Sequence, residues 1–153
     1  MRRAVRAVVV RGDALLVMRR NKFGEEYYTL VGGGIGVGET PEQALVREAQ
    51  EEASLNVANP RLVYVEEAGD PYGNQYIYLC DYVSGEPTLP NTSTEAKIHA
   101  LGVNLYEPLW LPISKLAEVP FVSETLKKIL VNAFTTGFPK QPQTIVPEQG
   151  VIA

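Results

Sequence analysis

The sequence predicts an α/β (α+β) domain built on a mixed β-sheet. Three observations carry that expectation: several short runs rich in β-branched and aromatic residues, only two substantial stretches with helical character, and an ordinary globular composition. The chain has 153 residues, 45% of them hydrophobic and 21% charged, which fits one domain. A chain of this size buries roughly 70% of its unfolded surface, so its stability requires neither a disulfide nor a metal clip. Cys80 is the one cysteine and His99 the one histidine, which excludes an internal disulfide and cysteine-only or multi-histidine metal centres.

Residues 4–10 are valine-rich and weakly alternating, Arg11-Gly12-Asp13 supplies a turn, and residues 14–18 are apolar again, so the chain opens as strand, turn, strand. Arg19, Arg20, Asn21 and Lys22 follow as a basic cluster. Residues 27–31 form a short β-type run that feeds the glycine-rich stretch GGGIGVGE. The clearest helix comes next. Thr40 caps it, Pro41 suits its first position, and Gln43 three residues after Thr40 completes a capping box; Ser54 and Asn56 end it. Two strands, 61–67 and 75–83, flank the turn AGDPYGN, and a turn SGEP leads to a polar loop around 91–95. Residues 109–111 read as a last strand. Ser114 is placed as the cap of a short helical turn, and 122–134 as a second amphipathic helix carrying Leu126, Ile129, Leu130 and Ala133. The expected division is a single domain over 1–135 and an extended or mobile tail over 136–153.

The first helix concentrates carboxylates. At 100° per residue Glu52 lies about 40° from Glu48 on one side and Glu51 about 60° from it on the other. Leu45, Val46, Ala49 and Ala53 occupy the adjoining arc, so the glutamates border the buried face. Such like charges are destabilising unless compensated. Arg47 can pair with one of them, and clustered carboxylate oxygens on a rigid face also suit a hard cation such as Mg²⁺, with waters and phosphates completing its shell. A solvated acidic helix face is the alternative for such a run.

The stretch from Gly33 to Leu55, GGIGVGETPEQALVREAQEEASL, resembles the Nudix box, G-x5-E-x7-R-E-U-x-E-E-x-G-U with U aliphatic. Gly33, Glu39, Arg47, Glu48, Glu51, Glu52 and Leu55 stand at the required offsets. Ser54 departs from the pattern's glycine, which suits a left-handed helix cap; serine there costs roughly 1 kcal/mol. Val31 stands where the family often has proline.

The resemblance implies a Nudix-type α/β/α sandwich and a hydrolase that uses Mg²⁺ or Mn²⁺ to cleave the diphosphate linkage of a nucleotide or nucleoside diphosphate derivative. It implies Gly33, Glu48, Glu51 and Glu52 as metal ligands and Glu39 with Arg47 as the structural link between loop and helix. The general base varies within the family, leaving Glu51, Glu52 and, in the later loop NTSTEAK, Glu95 as candidates, with Glu107 a further one. Arg19 and Arg20, together with Lys22, precede the box as candidate phosphate contacts, and Tyr28 is a candidate for base stacking or a core-edge tyrosine. Pro71 and Tyr72 lie where the family's ADP-ribose and dinucleoside polyphosphate hydrolases differ, and having both leaves the substrate open. Tyr72, Tyr76, Tyr78 and Tyr82 would share one strand face with Cys80, either in the core or lining a base pocket.

The 14 basic and 18 acidic residues give a net charge of −4, which disfavours binding to a nucleic-acid polymer. No apolar run has the length of a membrane span, and the basic start lacks a signal-peptide core. The expectation is a cytoplasmic protein with a small-molecule partner and no membrane partner; a homodimer is left open. A Nudix-like module that binds or senses a nucleotide without turnover is the competing function. An isoprenoid diphosphate isomerase is disfavoured by the single cysteine and histidine.

Overall fold

The computed structural model describes residues 2–89 and 104–147. Strands β1 (Arg3–Arg11) and β2 (Ala14–Lys22) are joined by a tight turn in which Gly12 takes a φ of +60°, a region open to glycine. They pair only beside the turn, Val10 with Leu15 and Arg11 with Ala14. Beyond those pairs the two strands part and each finds a different neighbour. β4 (Val31–Gly34) runs antiparallel along the first half of β1, and β3 (Glu25–Thr29) runs antiparallel along the second half of β2. The predicted run over 27–31 is thus two strands broken at Leu30, and the second one takes in the first glycines of the box.

On the other edge of β1 lies β6 (Asn74–Ser84), parallel to it, and then β5 (Asn56–Glu67), antiparallel to β6. β5 begins before the predicted strand and accommodates Pro60 through shifts of register. β7 (Asn104–Pro112) runs the length of β2 and is far longer than the predicted 109–111. The sheet is mixed, as expected, and it opens between β1 and β2 into two wings.

Strand alternation divides the core between two helices. Val5, Ala7, Val9, Leu16 and Met18 face helix α1 (Pro41–Ala53), where they pack with Leu45, Ala49 and Ala53. Tyr78 and Cys80 are buried in the same layer, with Tyr76 and Tyr82 packed against it. Tyr72 precedes β6 and does not share that face. Val8, Leu15, Val17 and Ile77 face the second helix, α2 (Glu124–Thr136), through its Leu126 and Leu130. This is a three-layer α/β/α arrangement.

The capping box of α1 is present: the Thr40 hydroxyl accepts from the Gln43 N–H, and the Gln43 side chain accepts from the Thr40 N–H. Ser54 ends α1 in the left-handed conformation, φ 59° and ψ 30°, and its hydroxyl donates to the Thr88 carbonyl. α2 is capped by Ser123, whose hydroxyl accepts from the Leu126 N–H. Ser114 is not the cap of a helical turn. It lies inside a 3₁₀ segment, Ile113–Glu118, that enters from Pro112 without a side-chain cap. Part of the tail is docked: β8 (Gln143–Ile145) adds to β5 in parallel and buries Ile145. Among the described residues no helix is long and apolar enough to cross a membrane.

The Ser54 backbone and its hydroxyl bond can be separated by mutation. Ser54→Ala loses the bond and keeps the unfavourable φ, whereas Ser54→Gly loses the bond and relieves the φ. The glycine variant is expected to exceed the alanine variant by about 1 kcal/mol in urea unfolding, and equal stabilities would refute the strain assignment.

Candidate active site

The glycine-rich loop and α1 are joined through one guanidinium. Arg47 Nε donates to Glu39 Oε2 (2.7 Å), and Nη2 to Glu39 Oε1 (2.9 Å) and the Gly34 carbonyl (3.0 Å). Nη1 donates to Glu48 Oε1 and Glu51 Oε2, both at 2.9 Å. All five guanidinium donors are engaged. Glu39 Oε1 also accepts the Gly36 N–H at 2.7 Å, and Arg47 together with this backbone bond pulls the Glu39 carboxyl down to about 2.

A cavity of about 360 Å³ opens where the two wings of the sheet part. Among the described residues its charged lining is Glu48 and Glu52 from α1, Glu66 from β5, and Arg2, Arg6 and Arg20. Glu48 and Glu52 are each 8% exposed, so two carboxylates one helical turn apart are withdrawn from bulk water beside the loop. Gly33 lies directly against one of them, since a Cβ there would sit 2.6 Å from the Glu48 carboxylate. Only a residue without a side chain allows that approach. Arg6 Nε donates to Gln75 Oε1 (3.0 Å) and Nη1 to the Leu30 carbonyl (3.2 Å). Burial pushes the Arg6 guanidinium below its ordinary value, opposed by the charges of Glu52 and Glu48.

The predicted site residues separate by strand parity. Arg20, Tyr27 and Tyr106 lie opposite one another on β2, β3 and β7 and line the cavity. The Arg20 guanidinium stacks 3.8 Å from the Tyr106 ring centroid and donates to Asn104 Oδ1, while its buried Nε has no hydrogen-bond partner among the described residues. Arg19, Tyr28 and Glu107, each one position along, point to the other face. Arg19 is engaged at the surface by Glu26 and Glu107 (2.8 and 3.2 Å), and Tyr28 packs into the core with α2. Lys22 is exposed at the end of β2 and is not in the lining. Glu51 is 53% exposed by side chain and is held by Arg47 outside the cavity lining. Glu95 and His99 fall outside the described residues.

Arg6, Glu66 and Gln75 were not singled out from the sequence. Each sits in a strand at a polar position facing α2, and an inward-facing polar or charged residue in an apolar strand was the available signal. Tyr72 also lines the cavity, from the turn before β6. Cys80 is buried, which pushes its thiol up to about 12 and leaves it an inert core residue.

The NUDIX domain family model matches residues 1–130. The chain belongs to the Nudix family. Among curated relatives, an NAD-capped RNA hydrolase NudC from Edwardsiella ictaluri is 31% identical over 120 residues, covering 78% of this chain and 42% of the relative. Another NudC, from Photorhabdus laumondii, is 36% identical over 76 residues, covering 50% of this chain and 30% of the relative. The chain thus spans less than half the length of these curated relatives. Among solved structures, an ADP-ribose pyrophosphatase from Streptococcus suis superposes with a TM-score of 0.64 at 19% identity, covering 95% of this chain and 98% of that one. A NUDIX-family hydrolase from Clostridium perfringens gives 0.64 at 20% identity, with 88% and 97% covered. At those identities the likeness establishes a shared Nudix fold.

Two glycines of the loop are expected to differ in what a methyl group does. A Cβ at Gly32 would lie 1.9 Å from the Val5 carbonyl oxygen, so Gly32→Ala must part β4 from β1 and costs about 1–3 kcal/mol or more. At Gly33 the obstruction is the end of the Glu48 side chain, which can move, so Gly33→Ala should keep a higher urea midpoint than Gly32→Ala. The reverse order would contradict this packing.

Acid stability should report the Glu39 clamp. Its folded pKa near 2 lies below the ordinary carboxylate value of 4.5, so the unfolded chain takes up the proton first. The Glu39 contribution is therefore complete above about pH 4.5 and fades as pH falls toward 2. Glu39→Gln should flatten this part of the pH dependence in urea unfolding, and an unchanged slope would dissociate Glu39 from it.

Proposed function

We propose that this Nudix chain is a divalent-metal-dependent hydrolase that cleaves the diphosphate linkage of a nucleotide or nucleoside diphosphate derivative in the cavity between the sheet wings. The observation that carries this reading is the meeting of Glu48, Glu52 and Gly33 with Arg6 and Arg20 in one concave site. Hard carboxylate oxygens withdrawn from water are the donor set that Mg²⁺ or Mn²⁺ takes, and the Gly33 approach leaves room for backbone participation. Among the described residues no three acidic, histidine or cysteine side chains already converge. One or two carboxylates with substrate phosphates and waters nevertheless suffice for Mg²⁺.

In this reading Glu48 and Glu52 hold the cation with the Gly33 backbone, and Glu51 joins them once it is released from Arg47. Such a cation neutralises diphosphate charge and lowers the pKa of bound water. Arg6 and Arg20 supply positive charge to the phosphates from opposite wings, and Tyr27 and Tyr106 bound the Arg20 side. Glu39 and Arg47 act at a distance by fixing the loop against α1. The general base comes from Glu51, Glu52 or Glu95. The NudC relatives, named as NAD-capped RNA hydrolases, add NAD-capped RNA to the substrates worth testing.

Product release should be measured with and without Mg²⁺ on nucleoside triphosphates and their oxidised forms, ADP-ribose, dinucleoside polyphosphates, sugar nucleotides, CDP-alcohols, NAD and NAD-capped RNA. Metal-dependent turnover of at least one is expected. Glu52→Gln should lower kcat by at least about 100-fold, at an unchanged urea midpoint. Near-normal turnover in that variant would overturn the ligand assignment. Tight, metal-independent binding of one nucleotide with no turnover of any compound would establish the binding-module alternative instead.

A further inference from the structure

We propose that Glu66 selects the base of the substrate, its carboxylate accepting a hydrogen bond from the exocyclic amino group of an amino-bearing nucleobase. The inference rests on the reading that the cavity takes a nucleoside diphosphate derivative, and it names which such derivatives fit.

Glu66 is 4% exposed and lines the cavity from β5. Its Oε2 accepts from the Ser123 hydroxyl, and Ser123, 2% exposed, is itself fixed by the Leu126 N–H as the cap of α2. Among the described residues no hydrogen-bond donor reaches Glu66 Oε1. The neighbouring amide is engaged elsewhere. Gln75 Oε1 is taken by Arg6 Nε, and Gln75 Nε2 donates to the Tyr72 carbonyl at 2.8 Å. Glu66 Oε1 is thus open to the cavity, and a ligand that displaces water from it must bring an N–H or O–H or leave that oxygen unsatisfied.

The order of charges decides which part of the ligand lies there. Gly33 on β4 lies against Glu48, β4 pairs with the strand of Arg6, Arg6 bonds Gln75 on β6, and Gln75 pairs with Glu66 on β5. The cavity therefore runs negative, positive, negative from α1 to Ser123. Phosphates are attracted to Arg6 and repelled by Glu66, which leaves the Glu66 end to the nucleoside. Its walls there include Val122 and Leu126 beside Ser123, which suit a planar ring. Adenine, guanine and cytosine each present an amino group to an acceptor. The edge N–H of uracil is flanked by carbonyl oxygens that a carboxylate repels.

The test compares ADP-, GDP-, CDP- and UDP-glucose, which differ only in the base. The best amino-bearing substrate is expected to exceed UDP-glucose at least tenfold in kcat/KM, the range of one hydrogen bond to a charged group. Glu66→Gln accepts the Ser123 bond through its carbonyl and turns an N–H toward the cavity, so that ratio should fall at least tenfold. Glu66→Asp, which withdraws the acceptor by one methylene, should lower it as well, and Ser123→Ala replaces either variant should it fail to fold. A wild-type preference for UDP-glucose, or a ratio unmoved in the folded variants, overturns the proposal. If none of the four is hydrolysed, calorimetric binding of AMP, GMP, CMP and UMP gives the answer. An amino-base preference lost in Glu66→Gln upholds the role of Glu66 although the hydrolase reading has failed, and equal binding overturns it.

Discussion

The Arg47 guanidinium is the joint on which the site depends. Its five donors are shared among Glu39, Glu48, Glu51 and the Gly34 carbonyl, so a single planar group fixes the glycine loop, the start of α1 and two turns of its carboxylate edge. Lysine could not replace it, having three donors around a point charge and no fixed fork. Without that joint Glu48 and Glu51 would repel across the helix surface. The loop would also lose its hold on the helix, and the Gly33 backbone its close approach to Glu48. The strong depression of the Glu39 carboxyl reflects the same arrangement.

An acidic chain with a phosphate-bearing ligand poses an electrostatic problem that the tertiary structure resolves locally. Of the 18 acidic residues, the four box glutamates account for the whole excess, because removing them leaves 14 against 14 basic residues. In the folded protein Glu39 and Glu51 are turned to Arg47, while Glu48 and Glu52 remain on the cavity. The same cavity receives Arg2, Arg6 and Arg20 from two parts of the sheet. Net charge describes solubility and long-range steering; the sign that a substrate meets is set by these few side chains in a low-dielectric recess.

The opening between the sheet wings follows from a short pairing. β1 and β2 share two residue pairs and then diverge, since β4 and β3 take over their inner edges. That divergence creates a recess lined by side chains from opposite faces of the sheet: Arg20, Tyr27 and Tyr106 from one wing, Arg6, Gln75 and Glu66 from the other. The glycines of β4 allow it, because Gly32 lies so close to β1 that a Cβ would overlap the Val5 carbonyl.

Local features of the chain were legible without a structure. The capping box at Thr40 and Gln43, the left-handed end at Ser54, and the carboxylate edge of α1 with Arg47 depend on residues one to fifteen positions apart, whose relative placement the helix dictates. The choice between Arg19 and Arg20, and between Tyr28 and Tyr27, turned on a one-residue parity that the basic and aromatic runs do not reveal, since both members of each pair are alike. The meeting of Arg6 with Gln75 and of Glu66 with Ser123 was out of reach for a different reason. Arg6 meets Gln75 across 69 residues and Ser123 meets Glu66 across 57, and such contacts follow from strand order and register alone. Sequence by itself determined the family, the loop–helix unit and its charged edge, because short-range geometry repeats wherever the spacing repeats. Tertiary structure decided which arginine faces the cavity and which buried carboxylate closes it, because only chain pairing at long range brings those side chains to one place.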